Sequence, residues 1–136
     1  MTVDSFAIGQ LSVLTGIKIT TIRYYETIGL LPEPPRSGGN RRLYSPLHRD
    51  RLTFIRRARN FGLGLEAIRE LLLLDRSRDQ PCTTASHIAQ AHLEAIEQRI
   101  QDLTALKAQF QTLIAACSGQ RVADCTILRA LHDEER

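Results

Sequence analysis

Residues 6–28 read FAIGQLSVLTGIKITTIRYYETI. Apolar groups recur at helical spacing through Phe6–Leu14, and the pattern then breaks at Thr15-Gly16-Ile17. Glycine tolerates the positive φ of a tight interhelical turn. Helical spacing resumes at Ile19, and Gly29 supplies a stop at the far end. Two short helices joined by a glycine turn form a helix-turn-helix. The second helix would present Thr20, Thr21, Arg23, Tyr24 and Tyr25 to a nucleic-acid groove or its phosphates, Tyr25 being equally suited to packing underneath.

The next segment, PEPPRS at 32–37, cannot be helical, because its prolines fix φ and remove donors. Gly38-Gly39-Asn40 has the composition of a turn, and Arg41-Arg42-Leu43-Tyr44 then alternates like a short strand. A basic hairpin behind a helix-turn-helix reads as a wing. Ser45-Pro46 opens a third helix with an N-cap and a proline in its first turn. It carries arginines at 49, 51, 56, 57 and 59 and ends at Gly62. A fourth helix over 65–74 would bury Leu65, Ile68, Leu71 and Leu72, and DRSRDQP at 75–81 is polar connector.

A long helix follows. Ala89, Leu93, Ile96, Ile100, Leu103, Lys107, Phe110, Ile114 and Cys117 succeed one another at spacings of four and three, with Lys107 the one interruption. A stripe sustained over this length is a coiled-coil signature. It predicts dimerisation, because the N-terminal module is too small to cover it.

Charge divides along the same line. Residues 1–78 carry 13 Lys and Arg against 7 Asp and Glu, and residues 79–136 carry 5 against 8. Twelve of the 13 are arginine, which pairs with phosphate and guanine in a two-pronged way that lysine cannot. A basic head and an acidic tail predict a polyanion-binding module joined to a partner module. The chain shows no phosphate-binding glycine loop and no room for a separate catalytic domain, so an enzyme is not expected. No apolar run approaches the roughly 20 residues of a membrane span, and MTVDSFAIGQ, without a charged n-region or an apolar h-region, is not expected to be a secretory leader. A reducing, cytoplasmic setting is expected, where thiols serve metal or reactive chemistry more than disulfide frames.

The three cysteines are Cys82, Cys117 and Cys125. If 83–116 is one helix, Cys82 and Cys117 stand roughly 50 Å apart within a chain at 1.5 Å per residue. They can meet only between two chains whose helices pair antiparallel. That predicts a thiolate site shared across a homodimer, Cys82 of one protomer meeting Cys117 and Cys125 of the other. His87 or water would complete a tetrahedron. Thiolates favour soft ions, Hg(II), Cd(II), Pb(II), Zn(II) or Cu(I). A second reading is a thiol or redox sensor in which Cys117 and Cys125 close a disulfide, with Arg121 lowering a neighbouring thiol's pKa and Asp124 opposing it.

The segments IGQLSVLTGI, TTIRYYETIGLL and PEPPRSGGNRRLYS, continuing through RLTFIRRARNFGLGLEAIRELLLL into the coiled coil, resemble the MerR family of transcriptional activators. The resemblance implies a mainly α fold: a winged helix-turn-helix DNA-binding domain over 1–75, a connector at 76–81, an antiparallel coiled-coil dimerisation helix over 82–116, and a metal-binding loop with a short terminal helix over 117–136. It implies a homodimer on double-stranded promoter DNA with an overlong spacer, which an effector makes bend and untwist for RNA polymerase. By motif position, Thr20, Thr21, Arg23 and Tyr24, with Arg41, Arg42 and Tyr44 of the wing, are candidate DNA contacts, and Arg56 and Arg59 could reach phosphates. Two cysteines flanking a C-terminal loop mark the metal-sensing branches. The copper-sensing branch has serine at the head of the coiled coil, where the divalent-sensing branches have cysteine, here Cys82. The effector is thus expected to be a divalent soft metal, Hg, Pb, Cd or Zn. The loop departs from the zinc-sensing pattern: Ser118 stands where a further cysteine is usual, and the loop has no histidine.

Overall fold

The computed structural model describes residues 5–117, 119 and 121–133. Its elements are α1 (Ile8–Thr15), α2 (Ile19–Thr27), α3 (Pro46–Asn60), α4 (Leu65–Asp75), α5 (Thr83–Ala116) and α6 (Thr126–His132), with a 3₁₀ turn at Val122–Asp124 before α6. The chain forms two compact units, the first ending at Ala85 and the second beginning at Ser86. The connector and the opening residues of α5 therefore belong with the head rather than with the rest of the long helix.

In the first unit, one buried stripe from each helix meets at a common core. α1 contributes Leu11, α2 Ile22 and Tyr25, α3 Leu52, Ile55 and Ala58, and α4 Ile68 and Leu72. Each set follows the three- and four-residue spacing of a single helical face. Tyr25 is thus a packing residue. Leu65 and Leu71 of the expected α4 face are only half-buried.

The turn between α1 and α2 is built by Gly16. Its φ is +73°, and its N–H donates to the Ser12 carbonyl at 2.9 Å. Buried Thr15 closes the turn from inside, its hydroxyl donating to the Leu11 carbonyl at 2.8 Å. A side chain at position 16 would be strained by the positive φ, and its Cβ would also stand 3.0 Å from Nη1 of Arg56.

Past α2, two arginines hold the chain. Arg69 donates to the Ile28 carbonyl at 2.7 Å and Arg51 to the Leu30 carbonyl at 3.0 Å. Ser45 caps α3 with Pro46 in the first turn. Here His48 takes the role of reciprocal partner: the Ser45 N–H donates to its Nδ1 at 3.1 Å, and its Nε2 faces the Pro32 carbonyl at 3.1 Å. Both ring nitrogens of His48 are occupied in the fold, which removes it as a metal ligand.

The wing is a hairpin without a named strand among the described residues. It is held by isolated antiparallel bridges, Arg36 with Arg42 and Phe6 with Tyr44. The short strand expected over 41–44 does not extend, because Pro34 and Pro35 bring no N–H to the facing side. Asn40 takes φ +62° at the tip, the left-handed region that asparagine tolerates.

α5, most of which lies in the second unit, runs for 34 residues without a buried side chain. Its stripe lies open: Leu93, Ile96, Ile100, Leu103, Leu106, Phe110 and Ile114 are between 41% and 62% exposed.

Candidate nucleic-acid interface and metal centre

Burying Ile22 and Tyr25 turns the opposite face of α2 outward, and on it stand Thr20, Arg23 and Tyr24, with Thr21 half-buried at its edge. An open groove of about 510 Å³ runs beside this face, lined by Ala7 and Ile8 at the head of α1, Arg23 of α2, and Arg36, Arg41 and Arg42 of the wing. Its lining carries four guanidinium groups and no carboxylate. Such a concentration of one charge sign attracts a polyanion and repels other cations. Arg56 is exposed beside the Gly16 turn, and exposed Arg59 donates to the Leu63 carbonyl at 3.0 Å, a bond within its own helix end.

One wing residue falls out of this set. Tyr44 is fully buried, with its backbone paired to Phe6 and its hydroxyl donating to Oε1 of Glu26. It has no surface to offer a duplex. Burial, followed by the Glu26 carboxylate, pushes its pKa well above the ordinary tyrosine range, so it stays a neutral phenol donor. The R-x-Y pattern that suggested a contact marks a core anchor instead. Sequence reasoning also missed Arg36 and Glu26. The signal for Arg36 is its place opposite Arg42 across the hairpin.

The thiols form a second feature. In the second unit the 3₁₀ turn at Val122–Asp124 folds the loop back, and Cys125 becomes the N-cap of α6. This brings Sγ of Cys125 to 3.7 Å from Sγ of Cys117, both half-buried. The Leu128 N–H at the head of α6 lowers the pKa of Cys125, with its bond to Cys117 acting in the same direction. That bond raises the pKa of Cys117. Of the two, Cys125 is the more readily deprotonated and Cys117 the less. The lowering comes from backbone amides and not from Arg121, which faces Asp124 at 3.8 Å.

Cys82 is exposed in the first unit, at the mouth of a cleft of about 280 Å³ lined by Phe54, Leu71, Leu74, Pro81 and Ala85. His87 is exposed on α5. Among the described residues of one chain, no group of three or more His, Cys, Asp or Glu is placed to hold an ion. Ser118 lies outside the described residues.

The pair suits a soft ion in its donors and its separation. Two sulfurs bound at about 2.3 Å to a tetrahedral ion stand about 3.8 Å apart, whereas a linear ion at that bond length holds them about 4.6 Å apart. At 3.7 Å the two sulfurs are near enough to share one ion with little rearrangement.

Comparison with known proteins decides the family. Residues 6–74 match the profile described as MerR HTH family regulatory protein, and residues 49–113 match that described as MerR, DNA binding. The chain belongs to the MerR family. It is similar to the HTH-type transcriptional regulator HmrR of Rhizobium leguminosarum bv. viciae, at 38% identity over 93% of this chain and 97% of that one. It is also similar to the HTH-type transcriptional regulator ZntR of Escherichia coli K12, at 36% identity over 93% and 92%. Among solved structures, the transcription regulator PbrR691 from Ralstonia metallidurans CH34, in complex with lead(II), superposes with a TM-score of 0.82 at 36% identity, covering 93% of this chain and 98% of that chain. This MerR-family chain is thus a DNA-binding transcriptional regulator and not an enzyme. Among its described residues, no helix is long and apolar enough to cross a membrane.

Proposed function

We propose that this MerR-family protein is a cytoplasmic, homodimeric transcriptional activator that responds to a divalent thiophilic ion, Hg, Pb, Cd or Zn, and distorts a promoter with an overlong spacer so that RNA polymerase can use it. The observation that carries the reading is the Cys117–Cys125 pair, two sulfurs 3.7 Å apart with no third donor beside them in their own chain among the described residues. Cys82 of the partner supplies the third thiolate. A bound ion of this class supplies a cross-link between the thiolates of two protomers. Support comes from PbrR691, a relative of nearly the same length that binds lead(II).

The residues divide the work. The open stripe of α5 pairs antiparallel with a second copy, which sets Cys82 of one protomer against the loop of the other. Thr20, Thr21, Arg23 and Tyr24 face the major groove, and Arg41, Arg42 and Arg56 hold phosphates and fix register. Ligation by Cys117 and Cys125 ties the loop to the base of the partner's head and biases the orientation of the two heads, a two-state element coupled to effector. Fluorescence energy transfer across a promoter duplex tests this: bend and twist are expected to change on loading the bound dimer with Cd(II). Identical DNA geometry in both states would overturn the reading.

Arg23 is the residue assigned to a base edge. Arg23→Ala is expected to weaken binding to the selected site roughly ten- to a hundredfold, the worth of one two-pronged base contact, and to leave nonspecific binding nearly unchanged. Fluorescence anisotropy on specific and random duplexes reads both.

A redox reading draws on the same pair. Cys125 already faces Cys117, and an external two-electron oxidant such as a peroxide would close them to a disulfide at about 2.05 Å, with both thiol protons released. A full metal response under strictly anaerobic, reducing conditions would exclude it.

A further inference from the structure

Arg42 is held from behind. Its Nε is buried and lies 3.8 Å from Oε2 of Glu26, an ion-pair distance longer than the roughly 3.0 Å of a good hydrogen bond. Among the described residues no group hydrogen-bonds that Nε. The far end of the side chain is different: Arg42 is about one-third exposed (32%) and lines the arginine groove with Arg23, Arg36 and Arg41. Glu26 is itself only 9% exposed, and its other oxygen accepts from the Tyr44 hydroxyl. Tyr44 is wholly buried and kept neutral, so it serves Glu26 as a fixed donor. The carboxylate therefore has one oxygen locked into the core and the other turned to a guanidinium.

The location of this cluster gives it a role. Glu26 and Arg23 are three residues apart on α2, and so lie on neighbouring positions of one helix. Arg42 and Tyr44 belong to the wing. Glu26 is thus the one acidic group in contact with wing residues that also belongs to the helix bearing Arg23. It sets where the Arg42 guanidinium stands relative to the Arg23 guanidinium. A planar guanidinium with a carboxylate on its Nε side leaves its two terminal nitrogens for another anion, the geometry that two-pronged phosphate recognition requires. The partial neutralisation also relieves repulsion among four like charges in one groove.

We propose that Glu26 is a positioning residue for DNA binding: through Nε it aims the Arg42 guanidinium, and with it the wing, at a phosphate. This rests on the reading that Arg42 faces DNA. On this proposal the 3.8 Å separation of Nε and Oε2 closes to a hydrogen bond when the wing seats on the duplex.

The test is a double-mutant cycle on a duplex that the wild-type protein has selected from a random-sequence pool, titrated at several salt concentrations. Arg42→Ala is expected to lose about tenfold in affinity and to make the salt dependence shallower by about one phosphate contact. Glu26→Gln is expected to reproduce both changes, although it removes no cation. The double variant is expected to bind within about twofold of either single variant. A merely structural role for Glu26 would leave the salt dependence unchanged and make the losses multiply, and that result would overturn the proposal. If Arg42→Ala binds normally, the reading of Arg42 as a DNA contact fails and the proposal falls with it. If only Glu26→Gln binds normally, the proposal alone fails. Should Glu26→Gln not fold, Tyr44→Phe frees the same carboxylate while keeping its charge. It is expected to lose about threefold in affinity, an effect absent in the Arg42→Ala background; the same loss in both backgrounds would overturn the proposal.

Discussion

Cys117→Ser and Cys125→Ser are each expected to lower affinity for Cd(II) by at least a hundredfold and to abolish metal-dependent transcription, while the unloaded protein binds its operator within about twofold of wild type. Replacing one thiolate of three leaves a hard hydroxyl in place of a soft anion, and even partners outside the ligand set are worth ten- to a hundredfold in metal affinity. Neither cysteine contributes to the buried core of the head, and both are only half-buried in the second unit. The substitutions therefore remove ligands without removing packing. Chelator-competition titration under anaerobic conditions gives the affinity, and anisotropy on the operator gives the DNA binding. Cys82→Ser is expected to behave in the same way, although Cys82 lies in the other unit of its own chain. That last result has no explanation within one protomer.

The second large effect concerns α5. Leu103→Arg is expected to weaken the dimer by at least a thousandfold and to remove operator binding with it. Leu103 lies near the middle of the stripe and is 59% exposed in the single chain. Pairing with a second copy would bury it twice per dimer, once from each protomer. Each leucine so buried is worth about 1.5–3 kcal/mol, and each arginine put in its place adds an unpaired charge. The head draws its core from α1 to α4, so it should retain its fold. Sedimentation velocity would show a monomer, and circular dichroism a head that still unfolds cooperatively. A Leu103→Arg protein that remained dimeric would remove the coiled coil from the account.

Much of the head was legible in the sequence because its signals are local. Gly16 announces a positive φ, Ser45-Pro46 a helix start, and the apolar residues of four helices keep one face each. The wing was less legible. Arg41-Arg42-Leu43-Tyr44 has the alternation of a strand, but a strand needs a partner with donors, and Pro34 and Pro35 deny it one. Tyr44 follows two arginines and reads as part of a basic surface. Only the fold shows that it turns inward to Glu26, 18 residues earlier in the chain. Arg36 was obscured by its prolines, and its place in the groove depends on the bridge to Arg42.

The thiol pair shows a similar limit. Spacing alone allowed Cys117 and Cys125 to meet, but their 3.7 Å separation depends on the turn at Val122–Asp124 and on Cys125 capping α6. The lowering of the Cys125 pKa comes first from the Leu128 amide, a backbone group that side-chain patterns do not reveal. Arg121, the residue a sequence reading favours for that task, is turned toward Asp124.

The central claim, a thiolate site shared between protomers, is tested most directly by mixing two defective proteins. Cys82→Ser keeps the loop pair, and the Cys117→Ser/Cys125→Ser double variant keeps Cys82. Neither homodimer is expected to bind Cd(II) with wild-type affinity. After subunit exchange under anaerobic conditions, each heterodimer regains one complete site. Thiolate-to-metal absorbance should then return with wild-type affinity, at about half a site per dimer for random pairing. If the mixture binds no more tightly than its two components, the site is not shared and the account is wrong.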